Sequence, residues 1–227
     1  MTYQMLLNSG LLDMKQLCLI PNGIDLSRFR SLPARDDLGL RYSLPIGGSI
    51  GISVGALRLE KNHIMFIYAA AQVIGQIPDS LFFICGDGPE RAKLDRKILD
   101  LDLSDRIHLL GNRDDIRELL ALSDIYTSSS REESFGLAVV EAMATGLPVV
   151  ATSVGAVPEV VGECIAAILV PSGDIKKVAE AIIRIMNDSS RTASMAAAAC
   201  AHARAFDIKI TAKSYQNLYL ETMGCTL

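Results

Sequence analysis

The chain has 227 residues, half of them apolar, which is enough to bury one substantial core with appendages rather than two full domains. Its formal net charge of −4, with 22 Lys and Arg and no window both basic and aromatic, excludes an extended nucleic-acid face. No apolar run approaches the roughly 18 residues of a membrane-spanning helix, and the five cysteines, odd in number and widely spaced, fit free thiols in a reducing cytoplasm.

Residues 1–15 have a helical pattern with few partners of their own and read as a remnant of a preceding domain or linker. QLCLI at 16–20 reads as a short strand ended by the turn Pro21-Asn22-Gly23, and residues 25–45 as a charged linker or surface excursion. From Ser49 an apolar run, a Gly-containing loop and an amphipathic segment alternate to about residue 188. The pattern predicts strands at 49–54, 81–85, 106–110, 124–128, 147–151 and 167–170, and helices at 62–76, 89–101, 114–122, 136–145, 156–162 and 174–187. Such alternation implies an α/β fold, a Rossmann-like parallel sheet with helices on both faces. Ligands in that architecture bind outside the carboxyl ends of the strands. Residues 189–227 read as carboxyl-terminal helices.

Several apparent motifs have simpler readings. GISVG at 51–55 has the spacing of a hydrolase nucleophile elbow, but Ser53 lies inside the apolar run and no helix follows directly. GDGPER at 86–91 starts like a dinucleotide fingerprint, yet Arg91 stands where the third glycine belongs, so a helix start with Pro89 at its first position explains it better. Asp100 and Asp102 end a charged helix with no third ligand, and His63, His108 and His202 lack zinc spacing and read as structural; no metal is expected.

Two stretches carry chemistry. In ALRLEKNH at 56–63, Arg58 and Lys61 follow a strand's carboxyl end, where cations can neutralise a leaving diphosphate, and Asn62 is placed to cap the next helix. In SSSREESFGLAVVEAMATGLPVVAT at 128–152, Glu133 and Glu141 stand eight positions apart across a loop and the helix that Gly136 opens. Free N–H groups at a helix start attract phosphate, and carboxylates beside them can hold a polar diphosphate ligand.

Together, IPNGID (20–25), SVGALRLEKNH (53–63), ICGDGPE (84–90), LLGNRDDI (109–116), the 128–161 stretch and LVPSGD (169–174) resemble the group 1 glycosyl transferases, the retaining family four with the GT-B fold. Glu133 to Glu141 reproduces the family's E-x7-E signature. The resemblance implies a nucleoside-diphosphate sugar as donor, no cofactor and no metal requirement. It implies that Glu133 contacts the donor sugar, that Glu141 holds the ribose hydroxyls, and that Lys61, Arg58 and the backbone around Ser134, Phe135, Gly136 and Leu137 meet the diphosphate, with Asn112 and Arg113 near the base. One departure stands out: Ala56 occupies the place where the family commonly has a basic residue, and Arg58 comes two positions later.

The resemblance also implies an amino-terminal acceptor domain that the chain lacks, so that residues 16–188 are the donor-binding half of a retaining glycosyltransferase and residues 189–227 pack on the missing domain. A chain of this kind binds nucleotide, transfers sugar negligibly, self-associates through exposed apolar surface, and comes from a cytoplasmic parent peripheral to a membrane. The alternatives are a nucleotide-binding regulatory module without catalysis and a sugar-nucleotide epimerase of related architecture.

Overall fold

The computed structural model describes Gly10, residues 17–29, Leu32, residues 35–42 and residues 48–223. The reading of residues 1–15 as a remnant therefore lies almost wholly outside the described residues.

Six strands form one parallel sheet: β1 (Ile50–Val54), β2 (Leu81–Cys85), β3 (Ile107–Gly111), β4 (Ile125–Ser128), β5 (Val149–Thr152) and β6 (Ala167–Val170). Their order is β3-β2-β1-β4-β5-β6. All five pairings are parallel, from Ile50 opposite Leu81 at one centre-line pair to Thr152 opposite Val170 at the far edge. This is the doubly wound order, and the predicted fold class is the observed one.

The helices between the strands are α2 (His63–Ile74), α3 (Arg91–Asp100), α4 (Ile116–Leu122), α5 (Leu137–Ala144) and α6 (Val157–Val161), preceded by α1 (Arg35–Arg41) and followed by α7 (Ile175–Met186), α8 (Ser189–Ala203) and α9 (Ile208–Thr222). Each interior strand is covered on both faces, which is why β2 reads LFFIC without alternation and is buried at every residue. Phe66 of α2 and Phe82 of β2 meet edge to face at 5.8 Å in the middle of this core. Asp174 and Asp188 accept hydrogen bonds from the backbone N–H groups of Lys177 and Arg191, capping α7 and α8.

The structure revises four local expectations. Described residues 17–20 carry no strand; Ile24 instead makes a single parallel bridge to Asp207. The 25–45 excursion contains a 3-10 turn, Leu26–Phe29, and α1. Asn62 precedes α2 with a left-handed backbone (φ 51°), and its side chain caps nothing; its amide lies 3.5 Å from the Met65 sulfur. Helix α3 begins at Arg91, two residues after Pro89.

A boundary at residue 188 does not divide the core. Met195, Ala199 and Ala203 of α8 are buried with the sheet's own residues, because small alanines let α8 lie close against α5. Helix α9 differs: none of its residues is buried, and Ile210, Tyr215 and Tyr219 are exposed. Its first turn holds the amino-terminal segment. Ile24 donates to the Phe206 carbonyl at 2.8 Å and accepts from the Ile208 N–H at 2.9 Å, and the Thr211 hydroxyl reaches the Pro21 carbonyl at 3.0 Å. Gly23 is required there, since a Cβ would come within 2.7 Å of the Ile208 Cα.

Candidate functional site

In the observed strand order the chain winds outward from β1 in one direction and, after β3, crosses back to β4 on the other side. The loops leaving β1 and β4 therefore diverge and open a crevice at the carboxyl edge. The first runs from Gly55 through the 3-10 turn Leu59–Lys61 to Asn62. The second runs from Ser129 to Gly136.

The two loops are tied together. The Arg131 N–H donates to the Glu60 carbonyl at 2.7 Å, and the Ser129 hydroxyl reaches the carbonyls of Lys61 and Asn62 at 3.2 and 3.0 Å. Above these bonds the Lys61 ammonium meets the Glu133 carboxylate at 2.5 Å. With the Glu133 side chain only 15% exposed, the pair is shielded enough for its charge-assisted bond to count.

A third loop fixes Glu133 from behind. Its carbonyl accepts from the Ala156 N–H at 3.2 Å, and Gly155 packs so closely that a Cβ would fall 1.8 Å from that oxygen. Gly155 also has a positive φ of 54°, so glycine answers both demands. On the other side, Gly86 and Gly88 admit the Gly55–Leu57 backbone in the same way: Leu57 donates to the Asp87 carbonyl at 3.0 Å and accepts from the Glu90 N–H at 2.9 Å.

Gly136 turns the chain into α5 at φ 98°, and no side chain caps the helix. The N–H groups of its first turn thus have no side-chain acceptor at the crevice, the arrangement that favours an anion. One turn on from Leu137, Glu141 shares its face of α5. Both line a cleft of about 500 Å³ with Gly23, Arg28, Val54 and Arg113. Burial pushes the Glu141 carboxyl above its ordinary range, while Arg28 opposes the shift. Tyr126 of β4 lies beneath: burial first, then the charges of Glu133 and Glu141, push its phenol up, and it donates weakly to the Val54 carbonyl at 3.4 Å.

Arg113 is held rigidly. Its Nε and Nη2 grip the two oxygens of Asp115 at 2.8 and 2.6 Å, and the Tyr42 hydroxyl donates to the same carboxylate at 2.5 Å. These bonds hold Asp115 at about 2 and raise the Arg113 guanidinium further. Asn112 is exposed beside it.

The structure thus brings Lys61, Glu133, Gly136, Leu137, Glu141 and Arg113 to one edge. Ser134 and Phe135 line an adjoining hollow of about 290 Å³ with Pro21, Asn22 and Glu159, where the Phe135 ring meets Phe206 edge to face at 5.9 Å. Arg58 lines a separate small hollow with His63, Glu90 and Leu94, and neither Arg58 nor Lys61 lines the cleft of Glu141. Arg28, Arg117, Tyr126 and Gly155 belong to the site or its frame without having been predicted. Only Gly155 had a signal, as a glycine following a strand's carboxyl end; the others reach the crevice through packing. Ser53 is buried in β1, an ordinary strand serine. Among the described residues no three His, Cys, Asp or Glu side chains cluster as for a metal ion. None of the described helices is long and apolar enough to cross a membrane.

Comparison with known proteins gives this geometry its context. The family described as glycosyl transferases group 1 matches residues 44–202. A UDP-Gal:alpha-D-GlcNAc-diphosphoundecaprenol alpha-1,3-galactosyltransferase of Escherichia coli is 33% identical over 180 residues, covering 78% of this chain and 46% of that protein. A D-inositol 3-phosphate glycosyltransferase of Corynebacterium urealyticum is 30% identical over 215 residues, covering 90% and 51%. Among solved structures, Anabaena HepE in complex with UDP superposes with a TM-score of 0.82 at 29% identity, covering 91% of this chain and 58% of that one. The same protein in complex with UDP-glucose gives 0.84 at 28%, covering 95% and 61%. The chain spans about half the length of the curated relatives it matches.

Proposed function

The chain belongs to the group 1 glycosyl transferases, and from that premise we propose that its crevice is the donor site for a nucleoside-diphosphate sugar in a retaining transfer. The observation that carries this reading is the convergence, at the switch point of the sheet, of Lys61 paired with Glu133, the uncapped start of α5, and Glu141 in the adjoining cleft.

In this reading the diphosphate lies against the Gly136–Leu137 backbone and Lys61, whose positive charge stabilises the phosphate that departs. Releasing Lys61 to the phosphate frees the Glu133 carboxylate to accept from hydroxyls of the donor sugar. Glu141 accepts from the ribose hydroxyls, and the base reaches toward Asn112 and Arg113. An acceptor oxygen attacks the anomeric carbon on the face the phosphate leaves; the C–O bond to phosphate breaks as the new one forms, and the acceptor proton passes to a phosphate oxygen. Charge stabilisation by Lys61 and the helix start requires no metal.

Transfer also needs an acceptor held in line and water excluded, which in this reading is the task of a second domain. The exposed face of α9 is available to pack on it or on another copy of the chain. We therefore assign the 227 residues nucleotide binding with negligible transfer when tested alone. The free cysteines Cys18, Cys85, Cys164 and Cys200 suit a cytoplasmic setting. Calorimetry with UDP, GDP, ADP and UDP-glucose tests the reading: one diphosphate series binds, and binding of none, or rapid turnover by this chain alone, overturns the corresponding part.

A further inference from the structure

Asp115 stands directly before α4, the position from which a carboxylate ordinarily caps a helix, yet its side chain makes no cap there. Its two oxygens turn instead to Arg113, accepting from Nε at 2.8 Å and Nη2 at 2.6 Å, and the second also accepts from the Tyr42 hydroxyl at 2.5 Å. Tyr42 comes from a part of the chain that precedes the whole sheet. It is delivered by α1, which packs on α4 with Leu38 buried in the core, and its N–H extends that helix by donating to the Leu38 carbonyl at 3.0 Å. The Tyr42 ring packs partly buried against the same core. A carboxylate that forgoes its helix to join these two side chains fixes one group above all, the guanidinium of Arg113, which lines the cleft of Glu141.

We propose that Tyr42 and Asp115 are positioning residues for the donor nucleotide, holding the Arg113 guanidinium as a restrained platform on which the nucleobase stacks. The inference rests on the donor-site reading, which brings the base toward Asn112 and Arg113. Pairing with Asp115 balances the charge of Arg113, so the pair offers a diphosphate little net attraction. It uses the Nε and Nη2 edge, while the flat faces of the guanidinium remain and 35% of the side chain is exposed. A flat guanidinium face is suited to a purine or pyrimidine ring. A loose arginine would lose its rotamer freedom on stacking; one already gripped in the free protein has lost it beforehand, and the base contact is correspondingly stronger.

The test is calorimetry and saturation-transfer NMR with the diphosphate that binds best among UDP, GDP and ADP. The proteins are the wild-type chain, Tyr42→Phe, the charge-balanced double variant Arg113→Ala/Asp115→Ala, and that double variant with Tyr42→Phe added. Tyr42→Phe keeps the ring that packs on the core, and Asp115 has no helix cap to lose, so the fold survives these changes. Tyr42→Phe weakens binding roughly twofold, part of the cost of immobilising one side chain. The double variant weakens it roughly two- to fivefold, and Tyr42→Phe adds nothing to that loss. In every variant, saturation of the base protons falls relative to that of the anomeric ribose proton. Full affinity in Tyr42→Phe or in the double variant overturns the inference while the donor site stands. So does an equal loss from Tyr42→Phe with and without Arg113 and Asp115, or a loss that leaves the base-to-ribose ratio unchanged. Absence of binding by the wild-type chain to all three diphosphates overturns both.

Discussion

Lys61 and Glu133 stand 72 positions apart in the chain, yet their ammonium and carboxylate meet at 2.5 Å across the point where the sheet reverses its winding. In the proposed donor-site reading these are two groups that a nucleotide sugar engages, and binding would exchange their one charge-assisted bond for two.

That exchange separates the roles of the partners. Lys61→Ala is expected to weaken nucleoside diphosphate binding by about 1.5–3 kcal/mol, the range for a hydrogen bond to a charged group. Glu133→Gln leaves diphosphate affinity unchanged or improved, because Lys61 is released, while the extra affinity of the sugar nucleotide over the plain diphosphate is lost. Paired titrations of UDP and UDP-glucose check this; equal losses for both ligands in Glu133→Gln would remove Glu133 from the sugar.

Glu141→Ala is expected to cost about 1–3 kcal/mol of nucleotide affinity through lost ribose hydrogen bonds. The deoxyribose analogue of the same diphosphate should lose less on this substitution than the ribose form. Identical losses for the two analogues would place Glu141 away from the sugar of the nucleoside.

Gly155→Ala puts a methyl group 1.8 Å from the Glu133 carbonyl oxygen at a positive φ. A thermal or urea melt should register about 1–3 kcal/mol of lost stability from backbone strain. Sugar-nucleotide binding should fall with it, because relief of the clash displaces Glu133. A variant of unchanged stability would contradict the close packing of these loops.

His63 is buried at the start of α2, with Nδ1 3.4 Å from the Ser53 hydroxyl and Nε2 without a hydrogen-bond partner among the described residues. Burial, chiefly, lowers its pKa from 6.5 to about 4. The unfolded chain then binds more protons than the folded one between those values, so the contribution of His63 is whole above pH 6.5 and falls as pH drops toward 4, by roughly 3 kcal/mol. Glu141, whose folded pKa is raised above 4.5, works in the opposite sense as it protonates. Urea melts from pH 7 to 4 should show a shallower fall for His63→Gln than for the wild-type chain, and parallel curves would show that His63 does not set the slope.

The architecture was legible in the chain because its signals are local. Runs such as LFFIC declare a strand buried on both faces, glycines after strands declare where the loops turn, and the alternation of the two elements leaves a doubly wound sheet as the consistent assembly. Lys61, Glu133 and Glu141 could be singled out for the same reason: each sits at a fixed distance from a strand end or a helix start, and the fold carries those ends to one edge.

What depended on contacts distant in sequence was decided only by the tertiary structure. The sequence set Arg58 apart from Lys61 as a departure from the family pattern, but only the structure shows Lys61, at the end of the 3-10 turn Leu59–Lys61, paired with Glu133 while Arg58, just before that turn, lines a separate small hollow with His63 and Glu90. Arg28 looked like part of a surface excursion until the pairing of Ile24 with Phe206 and Ile208, some 180 residues on, made that segment a wall of the cleft. The helices after residue 188 were legible, but that α8 joins the core through Met195, Ala199 and Ala203 was not, because its burial comes from close approach against α5. Periodicity reports which face of an element is apolar, whereas side-chain direction out of an irregular loop and the docking of chain ends follow from packing among parts of the chain that the sequence does not list as neighbours.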